Sequence, residues 1–504
     1  MKPSTAPRHL AVIGGLGRLA GVDLYDKLRD TVTASGAAGR YRLNLERLPY
    51  RRGDGAEAEP ERIGGRKLYL YDAAARLERR RVDGVLLPCF ISHTFLEELQ
   101  AELQVPILNM MSALGRHLHG GERKLGVLCT GYVRDSGLFE RYVDADRLIY
   151  PSRRTYETCV APAIYGADGV LAGSAGDAVL DRLQRACAEL LEQGAEVIIP
   201  GVSEIAATAR ALRRRGLPVL DSHQIYVDYA LAWRDGRKTP VFKLGVVGGI
   251  GPAATVDFMQ KIVRNTPAAR DQDHIRLIVD HNPQIPDRTA NLIGQGADPT
   301  LALYSACKRL EANGAALIAM PCNTAHAYVD RLQPGLAIPI VNMLSETVGL
   351  INEHCAGHAK VGLLATTGTV RSGVYHEAAR GGDFELIVPD AAHQALVMEA
   401  IYGELGVKAG HTDGPCKAML MQAVRHLVEH GATVIVLGCT ELPLLLPEQA
   451  ALVVGGRAVV VLDPTAILAR RCIALSRHQQ LRDPPEGSQA LHAKQSCSLQ
   501  NHIN

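Results

Sequence analysis

Short, uninterrupted apolar runs alternate along this chain with longer Ala- and Leu-rich stretches in which charged residues recur at helical spacing. The runs include LGVVGG (244–249), IRLIVD (275–280), ALIAM (316–320), KVGLLA (360–365) and TVIVLG (433–438). A strand with one wet face alternates apolar and polar positions, and these runs do not. Continuous apolar runs separated by helices predict parallel strands covered on both faces, hence an α/β fold. In the second half, strand–helix units lead to a thiol at Cys322 and then to another at Cys439. Each half is therefore expected to hold two doubly wound parallel-sheet lobes around a cleft, with ligands at the carboxyl ends of the strands.

The pattern occurs twice. AVIGGLGRLAGVDLYDKL (11–28) matches GVVGGIGPAATVDFMQKI (245–262), and RRVDGVLLPCFISHTFLEELQ (80–100) matches NGAALIAMPCNTAHAYVDRLQ (313–333). VPILNMMS (105–112) matches IPIVNMLS (338–345), and KLGVLCTGYVRDSGLF (124–139) matches KVGLLATTGTVRSGVY (360–375). GAEVIIPGVSE (194–204) matches GATVIVLGCTE (431–441). Order is preserved and the offset stays near 235, so a whole domain is duplicated. The expected domains are 1–238 and 239–480, joined through the charged segment RDGRKTPVFK, followed by a polar tail over 481–504 expected to be disordered.

Composition removes several function classes. The 504 residues carry a net charge of +2, which gives no reason to expect nucleic acid or an anionic membrane as partner. No run of 18 or more apolar residues appears, and the N-terminus lacks the long apolar core of a signal peptide. Eleven Cys without a CxxC pair do not form a disulfide framework, so a reduced cytoplasm is expected. The Arg-rich stretches at 76–81 and 210–216 read as solvated helix faces.

Cys322 follows strand AALIAM and Pro321 and precedes Asn323-Thr324, a pair suited to capping a helix. Cys439 follows TVIVLG and precedes Thr440-Glu441, again at an expected helix start. Free amides and the helix dipole at such a turn favour a thiolate and can hold a carboxylate. Two thiols on opposite sides of a cleft suit inversion of a stereocentre: one removes an acidic proton and the other returns one to the opposite face. One starts as base and the other as acid, so their titrations are coupled. Thr324, Asn323, Thr440 and the turn amides are the candidate donors to the substrate α-carboxylate.

These motifs carry a resemblance. VVGGIGPAATVDF, PCNTAH and GCTELP resemble the cofactor-independent aspartate/glutamate racemase superfamily, well over 243–475 and more weakly over 9–230. The aspartate racemase branch is the nearer one, because Glu441 and Leu442 follow the second Cys where glutamate racemases usually carry His. The resemblance implies Cys322 and Cys439 as the acid/base thiols, with Arg288 and Lys408 over the second carboxylate of an acidic amino acid, most simply aspartate. Gly249 and Thr366 join the expected substrate contacts, and His326 and Glu441 are candidates for tuning the thiols. Family members commonly pair as homodimers, so an intrachain pseudo-dimer is expected, with further homo-oligomerisation open.

No cofactor and no metal are expected. Gly249-x-Gly251-x-x-Ala254 is only a loose dinucleotide fingerprint, no feature marks a Schiff-base Lys, and Cys322-x3-His326 lacks a second ligand pair. The alternatives are another isomerase of the superfamily, of maleate isomerase or hydantoin racemase type, or a non-catalytic amino-acid-binding protein. In the first half Val202 answers Cys439, Phe90 and Ile91 answer Asn323 and Thr324, and Leu171 answers Lys408; Arg51 or Arg52 is the candidate to answer Arg288. Cys89 and His93 persist. Val has no exchangeable proton, so the first half is expected to be inactive, as scaffold or sensor.

Overall fold

The computed structural model describes residues 7–17, 19–47, 60–234, 241–354 and 359–482. Arg51, Arg52, most of the expected linker and nearly all of the polar tail lie outside the described residues. The chain divides into two compact units, Met1–Pro240 and Val241–Asn504. No helix among the described residues is long and apolar enough to cross a membrane.

In the first unit, strands β1 (Arg8–Gly14), β2 (Tyr41–Arg47), β3 (Gly84–Leu86) and β4 (Ile107–Leu108) form a parallel sheet of order β2-β1-β3-β4. A second parallel sheet has β5 (Leu125–Cys129) between β6 (Leu148–Ile149) and β7 (Val197–Gly201). The second unit repeats both. Strands β8 (Lys243–Gly248), β9 (Arg276–His281), β10 (Leu317–Ala319) and β11 (Ile340–Val341) are ordered β11-β10-β8-β9. Strands β12 (Ala359–Leu364), β13 (Phe384–Ile387), β14 (Ala432–Leu437), β15 (Gln449–Val454) and β16 (Arg457–Leu462) are ordered β13-β12-β14-β16-β15. All pairs are parallel except the β15–β16 hairpin.

The apolar runs are the central strands. Both faces of β8, β10, β12 and β14 are buried over most of their length, which is why no polar alternation is written into them. In each sheet of the second unit the strand order reverses beside the first strand. The switch points lie between β8 and β10 and between β12 and β14. The crevice outside the carboxyl ends of strands at such points is where open α/β sheets bind ligands. Cys322 and Cys439 follow β10 and β14, and Thr366 follows β12.

Two local expectations fail. The segment after Cys322 is a 3-10 helix over Asn323–Tyr328, and after Cys439 only a 3-10 turn forms, Leu442–Leu444. Pro443 and Pro447 leave no room for consecutive α-helical turns in the second case. Neither segment builds the macrodipole of a long helix. The Asn323 and Thr324 side chains do not cap the 3-10 helix either, because both are used across the cleft.

Candidate active site

Cys322 is held in extended conformation (φ −157°, ψ 109°) at the end of β10. His326 clasps it from behind: Nδ1 lies 2.9 Å from the Cys322 carbonyl oxygen, and Nε2 accepts from the Met343 amide at 3.1 Å. A carbonyl can only accept, so the ring carries its proton on Nδ1 and is neutral. Burial lowers its pKa, consistent with that form. His326 thus fixes the turn and is not among the residues lining the cleft.

Asn323 and Thr324 reach the facing lobe. Asn323 Oδ1 accepts from the buried Tyr375 hydroxyl at 2.5 Å, while its Nδ2 is buried without a partner. Thr324 Oγ1 lies 2.8 Å from Thr369 Oγ1 and 3.4 Å from Thr366 Oγ1. Thr289 donates to Thr366 at 2.9 Å, completing a buried cluster of four hydroxyls.

Cys439 Sγ donates to Glu441 Oε2 at 3.0 Å. Burial, then the Glu441 charge, push its pKa well above the ordinary thiol value, against the opposing effect of Lys408. Lys408 Nζ lies 3.8 Å from Glu441 Oε1 and 4.5 Å from the centre of the Tyr402 ring. Burial opposes its charge, but Glu441 and Tyr402 raise its pKa overall. Arg288 is buried, with Nη1 donating to the carbonyls of Ile285 (3.3 Å) and Pro286 (3.1 Å) and Nε without a partner. Burial works against this charge too, yet Cys322 and then Asp287 raise its pKa.

Ile250, Arg288, Thr289, Cys322, Asn323, Thr324, Thr366, Tyr402, Lys408, Cys439, Thr440 and Glu441 line one cleft with about 280 Å³ of empty space including its mouth. Nine of the residues singled out from sequence are on this wall. Gly249 is not; its neighbour Ile250 is. Gly249 instead makes a left-handed turn (φ +81°) pressed against the Asn282–Pro283 backbone. Beside it, the space a side chain at Gly251 would need is occupied by Glu441 Oε1, so a carboxylate closes the turn where a dinucleotide would place phosphate. Sequence reasoning missed Ile250, Thr289 and Tyr402 as lining. Each adjoins a residue or motif already singled out, but only the fold shows which neighbour faces inward.

The first unit preserves the frame and not the polar surface. His93 clasps Cys89 as His326 clasps Cys322, at 2.9 Å to the Cys89 carbonyl and 3.0 Å from the Met110 amide. Phe90 and Phe139, which answer Asn323 and Tyr375, stack with ring centres 5.7 Å apart. Ile91 and Val133, which answer Thr324 and Thr369, belong to the same apolar cluster.

The family model for Asp/Glu/Hydantoin racemase matches residues 13–230 and again 247–472. The broad specificity amino-acid racemase RacX of Bacillus subtilis (strain 168) is 26% identical over 237 residues, 46% of this chain and 96% of that protein. A glutamate racemase of Roseiflexus sp. (strain RS-1) is 31% identical over 188 residues, 36% of this chain and 65% of that protein. Among solved structures, the aspartate racemase of Picrophilus torridus matches with a TM-score of 0.41 and 29% identity, over 47% of this chain and 94% of that one. The match in two successive segments, on two units of the same strand order at the first sheet, identifies this chain as a member of the Asp/Glu/Hydantoin racemase family that carries the family's domain twice.

Proposed function

We propose that the second unit racemises an acidic amino acid, aspartate in the first place, by moving protons through Cys322 and Cys439 without a cofactor. One observation carries this reading: both thiols line a single cleft together with Arg288 and Lys408. The two cations and the partnerless donors Arg288 Nε and Asn323 Nδ2 provide for two carboxylates, and an unpaired buried donor gains most from a charged acceptor. Cys439, bonded through its proton to Glu441, begins as the acid, which leaves the base on the other face to Cys322. Proton removal at Cα by Cys322 and return from Cys439 invert the centre; the reverse reaction exchanges their roles.

The first unit does not racemise in this proposal. Val202 offers no proton, Leu171 no charge, and the Phe90–Phe139 stack replaces the amide–phenol pair. Its role is support of the second unit.

The test is α-proton exchange in D2O, followed by NMR with L- and D-aspartate, L- and D-glutamate, and asparagine as a neutral control. Exchange with inversion of an acidic substrate, lost in both Cys322→Ala and Cys439→Ala, is the expected result. Inversion that persists in both variants would overturn the two-thiol assignment, and inversion of asparagine in preference to either acid would overturn the substrate class. Binding to an Arg288→Ala/Lys408→Ala variant, which strips both cations from the second cleft, addresses the first unit separately: saturable aspartate binding there would make it a sensor, and none is expected.

A further inference from the structure

A second group of ligand-type side chains lies outside the cleft, where helix Ala391–Tyr402 packs against helix Pro415–Glu429. Asp390 caps the first helix. Its Oδ1 accepts from the His393 amide at 2.9 Å and lies 2.8 Å from His393 Nδ1. Its Oδ2 faces His426 Nε2, 3.8 Å away in the last turn of the second helix. The His393 and His426 rings stack at 4.0 Å and 15°, and His430 stands behind with Nδ1 turned to the His426 carbonyl at 2.8 Å. One donor atom from each of Asp390, His393 and His426 lies within 4.8 Å of the others.

Two imidazoles and a carboxylate are the donor set of borderline divalent ions, with bonds of about 2.0–2.2 Å for zinc. Donors at that radius around a tetrahedral ion stand about 3.3–3.6 Å apart, so binding requires the stacked His393 and His426 rings to turn out of their near-parallel arrangement until their in-plane lone pairs converge on the ion. An ion would take the place of the proton now shared by His393 and Asp390. The helix ends offset each other: the N-terminus at Asp390 disfavours a cation and the C-terminus beside His426 favours one. Two of the three side chains are only half-buried and Asp390 is exposed, so an ion can enter and water can complete its shell.

We propose that Asp390, His393 and His426 bind one divalent transition-metal ion of the zinc class and so clamp the two helices together. The clamped helix ends on Tyr402, which lines the cleft, and leads into Lys408; along its length Gln394 donates to the Ala365 carbonyl at 2.9 Å. The ion would brace this wall of the cleft without touching the thiols. The inference is independent of the reaction proposed for that cleft.

The experiment is calorimetric titration of metal-stripped full-length protein with Zn2+, with Co2+ absorption as a second readout. One site of micromolar affinity or better is expected, with Mg2+ failing to compete. His393→Ala and His426→Ala should each weaken it at least tenfold. Asp390→Asn, which keeps the helix cap, should weaken it without changing the circular dichroism. Absence of Zn2+ binding at submillimolar concentration, or affinity unchanged in all three variants, would overturn the proposal.

Discussion

The Tyr375 hydroxyl does one definite thing: it holds the oxygen of the Asn323 amide, which leaves the Asn323 nitrogen as a buried donor beside the cleft. Tyr375→Phe removes that hold and little volume. We expect a folded protein whose kcat/KM for racemisation falls about tenfold, the worth of one buried hydrogen bond, as read by polarimetry. Glu441 acts at the opposite thiol. Burial is the larger cause of the high Cys439 pKa, and the Glu441 charge adds to it. Glu441→Gln removes the second cause and leaves Lys408 unopposed, so Cys439 should ionise at lower pH. Its iodoacetamide alkylation, followed by peptide mass spectrometry, is expected to begin at lower pH than in the parent protein; an unchanged profile would leave burial as the sole control.

At the scale of elements, the turn after β8 shows how tightly glycine is required. Gly251 has φ +114°, and a Cβ there would lie 2.6 Å from Glu441 Oε1. Gly251→Ala therefore strains the backbone and displaces the carboxylate bonded to Cys439. A loss of about 1–3 kcal/mol in urea unfolding is expected from backbone strain, together with loss of racemisation. These strand–turn positions were legible in the sequence, since the apolar runs, glycines and following Cys mark the strand ends directly. The 3-10 form of the segments after the thiols was not. Local pattern offered Asn323 and Thr324 as caps, but partners 52 and 45 residues away, Tyr375 and Thr369, take both side chains. The Asp390–His393–His426 group was hidden for the same reason, since only the packing of two helices brings it together.

For the whole molecule, duplication was the most legible feature, because a repeated order of motifs needs no knowledge of contacts. A shared consequence is a stability limited at both ends of the pH scale. Burial lowers the pKa of His93 to about 4 and lowers that of His326. Groups depressed in the folded state give stability that is present above the unfolded value, near 6.5, and lost as pH falls toward the folded one. Burial raises Cys129, Cys187 and Cys472 to about 12 from 9.0, so their contribution is complete below pH 9 and lost above it. One pH unit past the ordinary thiol value costs about 1.4 kcal/mol for each such group. Melting temperature is expected to be level near neutrality, to fall below pH 6.5 and to fall again above pH 9; a level profile to pH 10.5 would contradict the buried-thiol account. The Phe90–Phe139 stack bears on the history open to the first unit. Asn at position 90 alone would press an amide against a phenyl ring, and Tyr at position 139 alone would do the same with a hydroxyl. Each single reversal buries an unpaired polar group at about 1–3 kcal/mol, before any thiol at position 202 could be useful. The packing therefore acts as a ratchet: the route back to a second working site runs through intermediates less stable than either end.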